Sequence, residues 1–305
     1  MTQQSSSHIG IHLRLIGMAI LWGTSWAWGR VVAQHMPPIT GSTYRFIIAS
    51  LSLLIWLYSV DRFKSIRDLT AKQWLGLIGT GATGIFAYSL FFMTALQWLP
   101  AGKASAVIAL NPAFTLLLAA WLFKEKLNLQ ILLGIGLAIF GSLYAISQGN
   151  PLKFLSGNVG LGEYLLLGCV LSWVSYTLIG RAVIGGIPAL TATTVGTCVG
   201  AILLFITSIF VDGAEGWQRA IHAPFVAHFS AIGMALGATT LAFSWFFNGV
   251  KTLGAGNAAA YIALVPVFGI LISALWLGEP LHSSLIIGVP LAITGMMIMN
   301  KGQKK

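Results

Sequence analysis

Arg45 is the only charged residue set well inside a long apolar run of this chain. An arginine at the centre of a bilayer costs roughly 2.5–3.5 kcal/mol on insertion scales, so its position calls for compensation. Two readings stand for it. Either the side chain snorkels to the nearby non-cytoplasmic surface or ties down helix ends, or it is a cavity cation that meets a substrate carboxylate or sets the field of the pathway. Asn111 precedes Pro112, which lacks an N–H and disfavours α geometry at the residue before it. Carbonyls freed there are tolerated at membrane depth only against protein or a water-filled cavity, so Asn111 is either a substrate contact or an interhelical amide. Pro266 should kink its helix likewise, and a hinge or gate is expected at Pro112 and Pro266. Trp22, Trp173, Tyr88, Tyr176, Trp245 and Tyr261 lie within apolar runs rather than at their ends. Each can pack against neighbours, and together they can present amphipathic faces to an amino acid, an aromatic metabolite or an organic cation. Ser25 adds a hydroxyl to this candidate substrate-binding set.

Other chemistries find little support. No Asp or Glu stands inside an apolar run, with Glu163 the nearest, and Glu125 and Glu279 sit just outside two of them as expected anchors of helix ends. A proton relay built on intramembrane carboxylates is therefore weakly supported. Cys169 and Cys198 fall singly in separate runs, without metal-ligand spacing. Gly79 to Gly84 matches GxGxxG, but inside an apolar run with no strand before it. These glycines, like Gly196/Gly200 and Gly233/Gly237, read as sites of close helix approach. No catalytic residue, metal or cofactor is expected. A membrane-embedded enzyme would need a converging nucleophile and base or metal ligands on the spans. A lipid-handling protein would need a groove open sideways, which the sequence leaves open.

The elements that must position these residues are membrane helices. The chain is 57% apolar and 8% charged with mean hydropathy +0.85, far from the roughly 25% charged residues of soluble domains. Apolar windows of about 20 residues predict ten spans, near 13–33, 40–60, 73–94, 101–123, 128–147, 160–181, 189–211, 227–249, 255–277 and 282–300. The net charge of +10 is spread over short loops, which points to membrane orientation rather than nucleic acid. Twelve Lys/Arg fall on one side, among them Arg62, Lys64, Arg67, Lys72, Lys124, Lys126 and Lys251, against Arg30, Lys103, Lys153 and Arg219 on the other. Both termini, 1–12 and 301–305, should face the cytoplasm.

The chain also repeats itself. Leu99 to Leu127 returns at Leu253 to Leu281 with 14 of 29 positions identical, and Gly17, Trp22, Gly29, Arg30 and Pro37 return as Gly168, Trp173, Gly180, Arg181 and Pro188. Residues 13–147 and 160–300 thus form two five-helix copies. Five is odd, so the second copy enters the membrane inverted, and substrate sites of such folds lie near the midplane where the copies meet.

With WGTSW in the first span, Tyr44-Arg45-Phe46 in the second, GKASAVIALNPAFTLLLAAWLFKEKL and GIGLAIFG, and the echo GEPLHSSLIIGVPLAITG, the chain resembles the ten-helix EamA-type carriers of the drug/metabolite transporter superfamily along essentially its whole length. The resemblance implies an all-α protein of the cytoplasmic (inner) membrane. It also implies a secondary transporter that moves small organic solutes such as amino acids or related metabolites, outward, by alternating access. Efflux of cationic or aromatic toxic compounds is the alternative it leaves open. The partners expected are a small-molecule substrate and the bilayer, with a monomer plausible and the oligomeric state left open. Gly196 stands in place of Arg45 and Val265 in place of Asn111, so the copies are not chemically equivalent.

Overall fold

The computed structural model describes residues 2–124, 127–154, 160–183, 185–253, 258 and 261–303. Among the described residues the regular structure is helical throughout. The long helices are α1 (Thr2–His35), α2 (Pro38–Asp61), α3 (Ala71–Trp98), α4 (Ala101–Phe123), α5 (Leu129–Ile146), α6 (Leu161–Val183), α7 (Ala189–Val211), α8 (Phe225–Leu253), α9 (Tyr261–Leu277) and α10 (Ser283–Gln303). Eight of them, α2 to α8 and α10, are long and apolar enough to cross a bilayer by length and composition, and α9 is a shorter apolar helix. The expected first span lies within the 34 residues of α1.

Four of these helices change their winding part-way. In α3 the segment Gly81–Ala87 is π-helical, and in α8 so is Gly233–Leu241, at corresponding places in the two sequence copies. In α4 a 3-10 turn, Ala106–Ala109, runs up to Leu110-Asn111-Pro112, and in α9 the turn Tyr261–Leu264 runs up to Val265-Pro266. A proline cannot donate to the carbonyl four residues back and its ring crowds that carbonyl. Ile108 and Ile262 are those positions, and both fall inside the 3-10 turns. Pro112 and Pro266 thus express themselves one turn upstream, as a tightening of the helix.

Two compact units divide the chain, and each takes elements from both sequence copies. The first comprises Met1–Ala27, Leu99–Tyr164 and Leu241–Lys305. Its tightest packing joins α5 to α10. A Cβ on Gly134 would meet the Gly295 carbonyl at 2.8 Å, and one on Gly141 would meet the Gly288 carbonyl at 2.6 Å and the Ala292 nitrogen at 2.5 Å. As residue numbers rise along α5 they fall along α10, so the two helices run antiparallel. Ala113, Leu116, Ile135, Ala138, Met296 and Met299 close the core around that seam. Gly23 of α1 lies against Phe268 and Gly269 of α9, and Gly269 in turn lies against Ser105 of α4.

The second unit comprises Trp28–Trp98 and Leu165–Thr240. Phe46 and Ala49 of α2, Ala201 and Leu204 of α7 and Ala235 of α8 form its core. The glycines expected to let helices approach do so here. A Cβ on Gly81 would meet the Gly196 carbonyl at 2.6 Å, and one on Gly200 would meet Ile85 Cβ at 2.3 Å. The N-terminus of α2 has no side-chain cap of its own. Asp212 supplies one from the end of α7, accepting from Thr40 N at 3.0 Å and Thr40 Oγ1 at 2.7 Å. At the other end of the same two helices, Thr191 Oγ1 lies 2.7 Å from Ser65 Oγ, which donates to the carboxylate of Asp61.

Candidate functional site

Arg45, Tyr88, Trp173 and Tyr176 come together in the second unit. Arg45 leaves α2 half-buried, its Cζ 4.5 Å from the centre of the Phe46 ring. Its Nη2 donates to Thr239 Oγ1 of α8 at 3.3 Å, while its Nε is buried with no hydrogen-bond partner among the described residues. The guanidinium thus ties α2 to a neighbouring helix and keeps one donor without a partner among the described residues. Tyr88 is the first residue after the π segment of α3 and opens the stretch of that helix, Tyr88–Trp98, that packs against α2. Its ring stacks on Phe92 (5.9 Å, 17°) and lies 5.7 Å from Trp173, which lies 5.3 Å from Tyr176. Gly84 permits this arrangement, since a Cβ there would meet the Tyr176 ring at 2.3 Å. The result is a cation on α2 with an unfilled N–H, and a run of aromatic faces that begins on its packed neighbour α3.

The other expected residues belong to the first unit. Trp22 of α1 meets Phe243 edge-on at 5.3 Å and Phe246 at 5.6 Å. Trp245 lies over Gly17, where a Cβ would meet its ring at 2.6 Å. Trp22, Trp245 and Tyr261 all pack around Ile11, Leu15, Met18, Ala242 and Ala258. Tyr261 OH lies 2.5 Å from His12 Nδ1. Ser25 Oγ donates to the Trp22 carbonyl at 2.6 Å, so its proton serves its own helix. Asn111 is 8% exposed, and its Oδ1 is buried without a hydrogen-bond partner among the described residues. A buried amide oxygen left bare is costly, about 1–3 kcal/mol, and this one stands where α4 leaves its 3-10 turn.

Glu279 anchors a helix end, as its position suggested. Gly278 takes a left-handed conformation (φ 67°) that closes α9, and Glu279 then accepts from Ala101 N at 2.8 Å and Gly102 N at 2.9 Å, the first N–H groups of α4. Beside it, Lys103 Nζ pairs with Glu163 at 2.6 Å, both side chains largely buried. Glu125, the counterpart of Glu279, lies outside the described residues. Sequence reasoning missed Thr239 as the partner of Arg45, His12 as the partner of Tyr261, and both π segments. The signals available for the π segments were the glycine-threonine strings at Gly79 to Gly84 and Gly237 to Thr240, which announce close packing but not winding.

The profile of the EamA-like transporter family matches the chain twice, over residues 9–147 and 160–301. The chain belongs to the EamA-like transporter family. Members of this family are membrane transporters, and the apolar helices accord with that. An uncharacterized transporter of Bacillus subtilis, YyaM, is 25% identical over 95% of this chain and 93% of its own length. Proteins of Salmonella typhimurium and Escherichia coli, each described as a probable amino-acid metabolite efflux pump, are 27% identical over 92% of this chain and 91% of theirs. A crystal structure of a protein 19% identical superposes over 97% of this chain and 99% of that one with a TM-score of 0.67. That likeness concerns the fold alone.

Proposed function

We propose that this EamA-family protein is a secondary transporter of the cytoplasmic membrane. In this reading ten spans, in two inverted copies with both termini in the cytoplasm, carry small carboxylate-bearing solutes such as amino acids outward by alternating access around a midplane cavity. Two reciprocal contacts support the inversion. Thr40 and Asp61 in the first copy stand where Thr191 and Asp212 stand in the second, and Thr40 bonds Asp212 while Thr191 reaches Asp61 through Ser65. In the other unit Gly134 meets the Gly295 carbonyl, and its equivalent Gly288 meets the carbonyl of Gly141, the equivalent of Gly295. Contacts that map onto themselves when the copies are exchanged are the mark of a two-fold relation.

The observation that carries the substrate class is the bare Nε of Arg45 on α2, whose packed neighbour α3 begins the Tyr88–Trp173–Tyr176 run. A guanidinium offers parallel N–H donors to a carboxylate, and such charge-assisted pairs are about twice as strong as neutral hydrogen bonds. The names of the two amino-acid metabolite efflux pumps agree with that chemistry. Efflux of organic cations draws support from the same aromatic faces, but a cation there would be repelled by Arg45. Counterflow in proteoliposomes with a panel of L-amino acids and organic cations separates the two. Carboxylate-bearing solutes should exchange through the wild-type protein and lose about tenfold or more in Arg45→Ala, as removal of a buried charge-assisted contact costs. Equal activity of both proteins refutes the Arg45 role.

A further inference from the structure

The two π segments occupy equivalent places, yet they are held by different means. A π turn is rare and seldom persists without support from its surroundings. In α3 the close contacts come from α7 and are made at glycines, for Gly81 lies on the Gly196 carbonyl and the Ile85 side chain fills the space above Gly200, while its hydroxyl bond, from Thr83 to the Gly79 carbonyl at 2.8 Å, reaches only four residues back. In α8 the support is a set of side-chain hydroxyls. Thr239 Oγ1 donates to the Met234 carbonyl at 3.1 Å and Thr240 Oγ1 to the Ala235 carbonyl at 3.2 Å, each reaching five residues back across the wide turn. From α2, Arg45 Nη2 donates to Thr239 Oγ1 at 3.3 Å, and Ser52 Oγ lies 2.6 Å from Thr240 Oγ1. Gly196 holds the place in the second copy that Arg45 holds in the first. One contact of the pair is therefore a fixed close packing at glycines, and the other is a hydrogen bond that a ligand can compete for.

We infer that Thr239 and Ser52 are positioning residues that, with Arg45, keep α8 in its π register, and that a carboxylate taken up by Arg45 releases it. The second half rests on the substrate reading above; the first does not. The bond from Nη2 to Thr239 is the long one of the set and ends on a neutral hydroxyl, so a carboxylate that engages the bare Nε and pulls the guanidinium plane toward itself displaces it. Loss of the extra residue in the turn then returns Gly233–Leu241 to the regular α-helical repeat. Arg45 in this scheme both receives the solute and reports its arrival to α8.

Amide hydrogen exchange of the full chain in lipid nanodiscs tests both halves. Without solute, Thr239→Val and Ser52→Ala should each speed exchange across residues 234–241 by roughly tenfold, the scale of losing one hydrogen bond. Thr239→Ser, which keeps the hydroxyl, should match wild type, and exchange in α5 and α10 should stay unchanged in all three. Unaltered rates at 234–241 in the two hydroxyl-deleting variants overturn the positioning role. A mixture of the standard L-amino acids should then speed exchange at 234–241 in wild type but not in Arg45→Lys. If wild type carries amino acids in counterflow while the mixture leaves 234–241 unchanged, the release step is wrong and the transport reading survives. If no amino acid is carried, the transport reading falls, the release step falls with it, and the hydroxyl variants alone decide the positioning role.

Discussion

Glu279 shows what a carboxylate just beyond an apolar run is for. The first N–H groups of a helix have no partner inside it, Pro100 before α4 offers no side-chain cap, and Glu279 meets Ala101 and Gly102 from the far end of α9. Removing such a cap costs about 1 kcal/mol. Glu279→Ala should therefore lower the unfolding midpoint of the detergent-solubilised protein by a few degrees, whereas Glu215→Ala, which breaks only an exposed pair with Arg219 at 3.8 Å, should leave it unchanged. The role of Glu279 was legible because an acid that ends an apolar run has few other tasks. The partner of Arg45 was not, because Thr239 lies 194 residues away and nothing in a threonine's local sequence says which helix faces it.

At the scale of elements, glycine spacing was a sound guide to where helices touch and a poor one to how they wind. The seam between α5 and α10 brings main chain to main chain, so it has no flexible group to yield. Gly141→Ala places a methyl 2.5 Å from the Ala292 nitrogen and should destabilise by about 1–3 kcal/mol, the usual range for overpacking. Gly136→Ala, on an open face of the same helix with nothing within 4 Å, should instead gain up to about 1 kcal/mol from helix propensity. Thermal unfolding of the two variants in one detergent measures both signs. That the winding would change near Pro112 and Pro266 was legible because the missing N–H is a property of the residue itself, whereas a π turn depends on partners in other helices. Pro266→Ala restores a donor toward Ile262 and allows α9 to wind regularly through Tyr261–Leu264. Counterflow should fall severalfold in that variant with the unfolding midpoint kept or raised, and unchanged transport would remove the gate from this position.

At the scale of the whole molecule, duplication was the most legible feature and the grouping of helices the least. The two sequence copies run one after the other, but each compact unit draws on both, with α5 beside α10 in one and α2 beside α7 in the other. Tandem text does not reveal this, because the apolar faces that choose partners are equally apolar throughout. Orientation, by contrast, is written in the loops. Arg62, Lys64, Arg67 and Lys72 crowd the link between α2 and α3, while the link between α7 and α8 holds Arg219 alone. Short basic loops stay in the cytoplasm, so the proposed arrangement puts the two links on opposite sides, with an odd number of crossings between them. A single cysteine at Ser65 should therefore be shielded in intact cells from a thiol reagent that does not cross the membrane, and one at Glu215 should be labelled, each in a background with Cys169 and Cys198 replaced by Ala. A green fluorescent protein joined to the C-terminus should fluoresce, and alkaline phosphatase joined there should be inactive. Labelling of both cysteines from outside, or of neither, would mean an even number of crossings from α3 to α7, and the inverted arrangement of the two copies could not then hold.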